Sequence, residues 1–206
     1  MKGLTIGVLG LQGDIEEHVL STEMALKKMT LQGRVVVAKK PQEIDVLDGL
    51  VIPGGESTVQ GALSTLNRTI SSVRERILNG MPAMGTCAGI VVLAKHVTDH
   101  LAGETKQPLM GALDVDIERN SFGRQAESFE ADLEIPIMGE RRFRGVFIRA
   151  PTIKDIDTGV DVLSKLGAQT VAVQQRNILG LTFHPELAAD TRLHEHFLRM
   201  IAERRQ

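Results

Sequence analysis

The sequence predicts a single α/β domain with a mainly parallel, doubly wound sheet and antiparallel additions. In the first half, short aliphatic runs alternate with helical stretches, which is the pattern of βαβ units. In the second half, apolar and polar residues alternate with period two, which is typical of half-exposed strands. The length of 206 residues suits one domain with a sizeable core.

The first half is expected to form the parallel part of the sheet. Its aliphatic runs predict four buried strands, at residues 4–9, 35–38, 49–52 and 82–84. A helix is expected after the first strand, where Asp14 and Glu17 have the spacing of a capping box. The apolar face predicted for this helix consists of Val19, Leu20, Ala25, Leu26 and Met29. Two further helices are predicted over residues 59–78 and 88–96.

The second half is expected to form the antiparallel part. Leu113, Val115 and Ile117 alternate with acidic residues, which predicts a half-exposed strand. Further strands are predicted at residues 129–135, 144–148, 171–174 and 179–183, and a closing helix at 192–203. Because neither an internal repeat nor linker-like composition interrupts the chain, residues 1–206 are expected to form one domain.

The composition excludes several classes of function. Lys and Arg number 24 against 26 Asp and Glu, so the net charge of −2 argues against nucleic acid or an anionic membrane surface as partner. The longest apolar run is far shorter than the ~20 residues that span a bilayer. There is no Trp or Tyr, and all six Phe follow position 120, which disfavours stacking on bases. Cys87 is the single cysteine, which excludes an internal disulfide and fits a cytoplasmic protein.

The segment Gly85-Thr86-Cys87-Ala88-Gly89 joins a predicted strand to a predicted helix. It has the spacing of a nucleophile elbow, with sulfur in place of the usual hydroxyl. The helix N-terminus would favour the thiolate, and the N–H group of Ala88 would face a developing oxyanion. The alternative is a buried structural cysteine.

A second glycine-rich turn, Pro53-Gly54-Gly55-Glu56-Ser57, follows the third predicted strand. Paired glycines allow a close approach to a ligand, and their N–H groups could complete an oxyanion hole. The alternative is a plain turn in which Glu56 or Ser57 caps the next helix. Neither phosphate-binding glycine pattern occurs in the chain.

His184 is the best candidate for the base that a thiol nucleophile needs. It follows a predicted strand in the segment His184-Pro185-Glu186. Residues two apart in extended backbone point the same way, so Glu186 could orient the imidazole. The alternative is a lone histidine beside an unrelated glutamate. The other five histidines, His18, His96, His100, His194 and His196, are expected on helices or polar loops, with the last two at the surface.

Three further polar features are expected at strand ends. They are Gln12, Arg149, and the segment Arg119-Asn120-Ser121-Phe122-Gly123-Arg124-Gln125. Their arginines could bind a carboxylate through paired hydrogen bonds. Solvated charges or loop hydrogen bonds would explain them equally well.

Together these motifs resemble class I glutamine amidotransferases. The similar segments are residues 53–58, 85–89, 119–125, 147–151 and 183–187. The sequence is still more similar to the glutaminase subunits of two-component pyridoxal phosphate synthases, because R-N-S-F-G-R-Q and G-G-E-S-T are more specific to that family. The similarity spans nearly the whole chain and implies a flavodoxin-like three-layer sandwich.

The resemblance implies hydrolysis of L-glutamine to glutamate and ammonia. Cys87 would form a glutamyl thioester, His184 would transfer protons, and Glu186 would orient His184. Residues implied to hold glutamine are Gly55, Glu56, Ser57, Arg119, Ile148 and Arg149. Gly55 and Ala88 would stabilise the oxyanion, while Gln12 and Gly54 would lie near a partner interface that activates the site.

The implied partner is a (β/α)₈-barrel synthase subunit that makes pyridoxal phosphate and receives the ammonia in a hetero-oligomer. Free ammonia would be lost to solvent, so delivery through a contact surface is expected. No metal and no cofactor, including pyridoxal phosphate itself, is expected on this chain. Residues 27–33 and 102–108 are assigned no role.

Three other functions remain open. The chain could be the glutaminase of another pathway, such as imidazole glycerol phosphate synthase, although residues 119–125 argue against it. It could be a cysteine peptidase or related hydrolase without preference for glutamine. It could also be a non-catalytic regulatory subunit, although Cys87, His184 and Glu186 are all present.

Overall fold

The computed structural model describes residues 3–100, 103–119 and 128–205. The strands are β1 (Leu4–Leu9), β2 (Gly33–Ala38), β3 (Gly49–Ile52), β4 (Ala83–Thr86), β5 (Ala94–Asp99), β6 (Gly103–Glu104), β7 (Leu113–Arg119), β8 (Phe129–Leu133), β9 (Phe143–Phe147), β10 (Thr152–Ile156), β11 (Asp161–Leu166), β12 (Gln169–Gln175) and β13 (Ile178–Leu181). The helices are α1 (Ile15–Lys28), α2 (Pro41–Ile44), α3 (Ser57–Leu66), α4 (Thr69–Leu78), α5 (Ala88–Leu93) and α6 (Arg192–Arg204), and 3₁₀ turns cover Pro136–Met138 and Pro185–Leu187.

The central sheet has seven strands in the order β11-β12-β13-β4-β3-β1-β2. From β13 to β2 all neighbours are parallel, and β12 and β11 continue the sheet in antiparallel pairing. The four strands predicted in the first half are all present here, β2 and β4 with bounds shifted by one or two residues. The prediction of a mainly parallel sheet with antiparallel additions is confirmed.

Helices cover both faces of this sheet and enclose two hydrophobic cores. Helices α1 and α6 pack together on one face, and α2 to α5 contact one another on the other. Strand β3 shows the division, because Leu50 and Ile52 belong to one core and Val51 to the other. The four fully buried phenylalanines all lie in the α1–α6 core, so the other core is aliphatic. The expected three layers are therefore present.

The helix predicted over residues 59–78 is divided in two. Helix α3 ends with Asn67 as its C-cap, and Arg68 adopts a left-handed backbone with φ 58° before α4 begins. The helix predicted over 88–96 ends at Leu93, after which the chain continues as β5. Leu20, predicted on the apolar face of α1, is 59 % exposed.

The remaining strands form two smaller sheets, which the second half of the sequence predicted only in part. Strands β10, β7, β5 and β6 form one sheet, and β8 and β9 form a hairpin. The alternation in β7 has the expected result, because Leu113, Val115 and Ile117 are buried. Strands β5, β6, β10 and β11 are not among the predicted strands. None of the helices in the described part of the chain is long and apolar enough to cross a membrane.

Candidate active site

Cys87 stands on a tight turn between a strand and a helix. It directly follows β4 and is the N-cap residue of α5. Its backbone has φ 48° and ψ −105°, a conformation that non-glycine residues rarely adopt. The strained strand-to-helix turn expected from the glycine spacing is therefore present.

Two glycines make this turn possible. A Cβ atom on Gly89 would collide with the carbonyl oxygen of Ile52, at the end of β3. A Cβ atom on Gly85 would lie 2.6 Å from a methyl carbon of Leu93. The turn therefore packs directly against the end of β3, from which the loop 53–56 leaves.

The thiol of Cys87 faces the imidazole of His184. The thiol donates to the carbonyl oxygen of Ile148 at 3.8 Å, and its proximity to His184 is one of the effects that raise the pKa of that imidazole. Cys87 is 7 % exposed. The thiol is thus buried yet adjacent to a group that can take its proton.

The imidazole of His184 is fixed by Glu186 in the turn after β13. Nδ1 of His184 lies 2.6 Å from Oε1 of Glu186, and both side chains are buried. Burial acts to lower the pKa of His184, but its three side-chain hydrogen bonds outweigh burial and raise that pKa well above the usual value. Burial raises the pKa of Glu186, and the hydrogen bond from His184 opposes that change. The two residues expected to share a face do so.

Asp14 is a second carboxylate at the same ring nitrogen. Its Oδ2 lies 3.1 Å from Nδ1 of His184. The hydrogen bond from His184 holds the pKa of Asp14 below its ordinary value, against the effect of burial. Asp14 is the N-cap residue of α1, but its side chain makes no capping hydrogen bond. The predicted capping box with Glu17 is wrong because this carboxylate turns toward His184 instead.

Asp14, His184 and Glu186 also have the spacing of metal ligands. Their ligand atoms lie within 4.8 Å of one another, close enough for a cation to contact all three. The 2.6 Å and 3.1 Å contacts at Nδ1, however, are hydrogen-bond distances. This arrangement suits a proton on Nδ1 facing two carboxylates.

The loop 53–56 is held by two glutamines. Oε1 of Gln12 accepts a hydrogen bond from the backbone N–H of Glu56 at 2.8 Å. Nε2 of Gln60 donates to the carbonyl oxygens of Pro53 at 3.0 Å, Gly54 at 3.3 Å and Gln12 at 3.0 Å. Gln60 was not singled out in the sequence. Together the two side chains tie the loops after β1 and β3 to each other.

Gly54 allows the backbone of this loop to approach His184. A Cβ atom on Gly54 would lie 2.5 Å from Cε1 of His184 and 2.7 Å from Oδ2 of Asp14. Gly55 has φ 144°, and a Cβ atom there would collide with the carboxamide of Gln12. A side chain at Gly54 would displace His184 and Asp14, and one at Gly55 would displace Gln12.

A polar wall stands beside Cys87. Oε1 of Glu56 accepts from the backbone N–H of Thr58 at 3.3 Å, which caps α3, and from Arg119 at 3.1 Å. Oε1 of Gln107 accepts from Arg119 at 2.6 Å and from the hydroxyl of Ser57 at 3.2 Å. Burial would raise the pKa of Glu56, but the Thr58 hydrogen bonds and two arginine charges hold it below its usual value. Gln107 lies in the stretch to which no role was assigned.

These elements enclose a cavity of about 150 Å³. Asp14, Val91 and Pro151 line it together with nine predicted residues: Gly55, Glu56, Ser57, Cys87, Ala88, Arg119, Ile148, Arg149 and His184. Arg149 has φ 46°, a second strained position in the wall. Gln12, Gly54 and Glu186 stand behind the lining. Residues 120–125 of the R-N-S-F-G-R-Q segment lie outside the described residues.

Two histidines are buried behind the site, and one of them, His194, contradicts the sequence-based expectation. His18 on α1 and His194 on α6 are fully buried, although His194 was expected at the surface. They meet where α1 and α6 pack together, and Nε2 of His18 lies 3.1 Å from Oε2 of Glu186. The spacing of Asp14 and His18, four residues apart on one helix face, is the signal that could have placed both beside the site.

Comparison with known proteins gives consistent matches. Residues 8–203 match the model of the SNO glutamine amidotransferase family. The chain is 48% identical over 202 residues to "Pyridoxal 5'-phosphate synthase subunit PdxT" of Aeropyrum pernix, covering 96% of this chain and 99% of that protein. It is 45% identical over 201 residues to the PdxT of Nitrosopumilus maritimus, covering 98% of each.

Solved structures agree in fold. A crystal structure of a glutamine amidotransferase that is 43% identical superposes with a TM-score of 0.82, over 96% of this chain and 98% of that one. A glutamine amidotransferase from Thermotoga maritima with 13% identity has a TM-score of 0.60, over 100% of this chain and 86% of that one. The second likeness concerns the fold alone.

Proposed function

Because this chain belongs to the SNO glutamine amidotransferase family, we propose that it hydrolyses the side-chain amide of L-glutamine to glutamate and ammonia. The observation that carries the proposal is the contact chain from the strained Cys87 through His184 to Glu186, at the floor of a cavity with charged walls. A nucleophile, a base and an orienting carboxylate in that order are the parts that amide hydrolysis through a thioester requires.

The reaction begins with the Cys87 proton held on His184, because the raised pKa of that imidazole favours its protonated form. The thiolate then attacks the amide carbon, and His184 returns the proton to the departing nitrogen, so that ammonia leaves and a glutamyl thioester remains. A water molecule gives a proton to His184 and attacks the thioester, which releases glutamate and restores the thiol. Glu186 keeps Nδ1 of His184 protonated, so the other ring nitrogen exchanges the proton.

The walls of the cavity suit the charged end of glutamine. The α-carboxylate would be bound by Arg119 and Arg149, and the α-ammonium by Glu56, whose lowered pKa keeps it ionised. Ser57 and Ile148 complete the pocket. The backbone N–H groups of Gly55 and Ala88 would stabilise the oxyanion.

We further propose that the ammonia passes to a synthase subunit for pyridoxal 5'-phosphate formation. Relatives with 43–48% identity over nearly their full length are named as subunits of that synthase. The partner would be a (β/α)₈ barrel, and the chain would be cytoplasmic. Docking near Gln12 and Gly54 would fix the conformation of the loop 53–56. Gln12 binds this loop through the N–H group of Glu56, and Gly54 packs within it against His184.

The test measures glutamate release from L-glutamine by the chain alone and with its synthase partner. We expect weak release alone and a rise on addition of the partner. Strong release by the chain alone would support the glutaminase function and contradict activation by the partner. A lack of release in both cases, or turnover of peptides and esters without preference for glutamine, would contradict the proposal. If the chain instead bound the ammonia-consuming subunit of another synthase, such as imidazole glycerol phosphate synthase, a role in that pathway would be favoured.

Variants at the nucleophile test the mechanism. Cys87→Ala should abolish glutamate release and leave partner binding intact, because only the reacting sulfur is lost. Glu140→Gln, at an exposed position, is the control and should behave as the unchanged chain. Since Cys87 is the only cysteine, an electrophilic glutamine analogue should label the chain once and Cys87→Ser not at all. Undiminished glutamate release by Cys87→Ala would refute the mechanism.

A further inference from the structure

Two buried histidines lie behind the catalytic carboxylate and take no part in the mechanism above. His18 and His194 are both 0 % exposed and neither lines the cavity. They come from helices α1 and α6, and their ring centroids are 5.4 Å apart. A pair of imidazoles at such depth is costly unless their nitrogens are hydrogen-bonded.

The contacts form a continuous path from Glu186 to α6. Nε2 of His18 lies 3.1 Å from Oε2 of Glu186 and 3.0 Å from the hydroxyl oxygen of Thr86. Nδ1 of His18 lies 3.2 Å from Nε2 of His194. The Oε2 atom accepts no hydrogen bond of good geometry in the described part of the chain, because the His18 nitrogen is aligned with Thr86 rather than with the carboxylate.

Burial keeps both rings neutral. It lowers the pKa of His18 well below the usual value, with smaller contributions from the charges of His194 and His184. It lowers the pKa of His194 to about 4. Each ring therefore carries one proton near neutral pH, and the neighbours decide which nitrogen holds it.

Only one arrangement of these protons places an N–H group, rather than a lone pair, against the carboxylate of Glu186. With the proton of His18 on Nε2, an N–H group faces Glu186, and bare Nδ1 accepts from His194. With the proton on Nδ1, a lone pair would face the carboxylate at 3.1 Å, and His194 would need its proton on Nδ1, which has no partner among the described residues. The second arrangement opposes two negative groups and buries an unpaired donor.

We propose that His18 is a positioning residue for Glu186, held in its Nε2–H form by His194. The proposal rests on the function proposed above. The N–H group between Glu186 and Thr86 stabilises the carboxylate charge and holds Oε1 against His184. In the described part of the chain, the titratable groups that act on this carboxylate are His184, His18 and Asp14. Thr86 adjoins Cys87, so one imidazole connects the base of the nucleophile turn with the orienting carboxylate.

A matched pair of variants separates this role from simple packing. In His18→Gln the amide can reach the position of Nε2 and still place an N–H group between Thr86 and Glu186. In His18→Asn the shorter amide reaches only the position of Nδ1, and the donor is lost. Both changes remove a buried ring, so both should lower the thermal midpoint to a similar extent.

Glutamate release by the chain with its synthase partner is then measured. His18→Asn should lower kcat by about tenfold, because the buried carboxylate loses the N–H group that faces it, with KM for glutamine unchanged. His18→Gln should retain most of kcat. Equal kcat values for the two variants, or a change confined to KM, would overturn the proposal. Absence of release by the unchanged chain would instead contradict the proposed glutaminase function.

The protonation state is tested without catalysis. Nitrogen NMR of histidine-labelled chain should show His18 with a protonated Nε2 and a bare Nδ1 near neutral pH. His194→Phe removes the donor to Nδ1, and His194→Gln can replace it, so only the former should disturb that pattern and kcat. A proton on Nδ1 of His18 in the unchanged chain would refute the proposal even if a variant failed to fold.

Discussion

At the residue scale, the site is organised around one nitrogen, Nδ1 of His184. Two carboxylates of different origin reach it, Glu186 from the turn after β13 and Asp14 from the start of α1. Glu186 is fully buried, while Asp14 is about one-third exposed and lines the cavity. The two acids therefore differ in access to solvent and substrate although they share a donor.

Replacing Asp14 with Asn should lower the pKa of His184. The hydrogen bond to Asp14 is the largest of the effects that raise that pKa, and the charge is lost in the variant. Because Asp14 is partly exposed, we expect a fall of about one unit. Histidine NMR titration of the chain measures it. Glu17→Gln, exposed on the same helix, is the control, and an unchanged His184 in Asp14→Asn would contradict the expectation.

Buried His194 should make the chain less stable in mild acid. Its pKa is 6.5 when unfolded and about 4 when folded, so between these values the unfolded state binds the extra proton. The free energy of unfolding then falls as pH decreases, by about 1.4 kcal/mol per pH unit for this group. His184, whose pKa is raised, is protonated in both states below pH 6.5 and adds no slope there.

Denaturant titrations at several pH values measure the effect. Between these two pKa values, the free energy of unfolding of His194→Gln should change less steeply with pH than that of the unchanged chain. The difference in slope corresponds to one proton bound on unfolding. The difference isolates His194 from the carboxylates that titrate in the same range. Parallel pH profiles for the two chains would show that His194 titrates normally in the folded state.

At the element scale, the strands that form the site were predicted well. The runs 4–9 and 49–52 coincide with β1 and β3, because buried parallel strands are continuous aliphatic runs. The break at Arg68 was missed because no glycine or proline marks it. The early end of α5 was also missed, since the aliphatic run 90–93 continues without a polar interruption into β5. Tertiary packing, rather than local preference, decides both boundaries.

The site shows the same division between local and long-range information. Cys87, His184 and Glu186 could be found because their spacing within short segments carries the chemistry. Gln107 and His194 could not, because Ser57 and His18, which they contact, lie 50 and 176 residues away in sequence. A polar side chain in a loop or on a helix has the same local pattern whether it faces solvent or a buried partner.

The turn at Cys87 gives a prediction for one element. In Gly89→Ala the new methyl group would meet the backbone at the end of β3, which cannot move as a flexible side chain could. We expect a loss of about 3 kcal/mol in the free energy of unfolding and a large loss of glutamate release. Gly167→Asn is the control, because this left-handed position has open space and asparagine tolerates it. Equal stability losses in both variants would contradict the steric explanation.

At the scale of the whole molecule, one sheet separates two cores of different composition. Neighbouring residues of β3 point into opposite cores, and β1, β4 and β13 likewise contribute to both. Neither core can lose its packing without exposing strands that the other needs. The candidate active site lies at the carboxyl ends of these same strands.

We therefore propose that residues 1–206 form one domain that unfolds in a single transition. The fully buried phenylalanines Phe143, Phe147, Phe183 and Phe197 all lie in the α1–α6 core. With no Trp or Tyr in the chain, aromatic circular dichroism reports chiefly on this core, and far-ultraviolet dichroism reports on all elements.

Ile52→Val removes one methylene group from the opposite, aliphatic core and should lower the free energy of unfolding by about 1 kcal/mol. Because the sheet is shared, it should shift the midpoint of both signals equally in denaturant. A shift of the far-ultraviolet signal alone would mean that the two cores unfold separately and that the chain has two cooperative units.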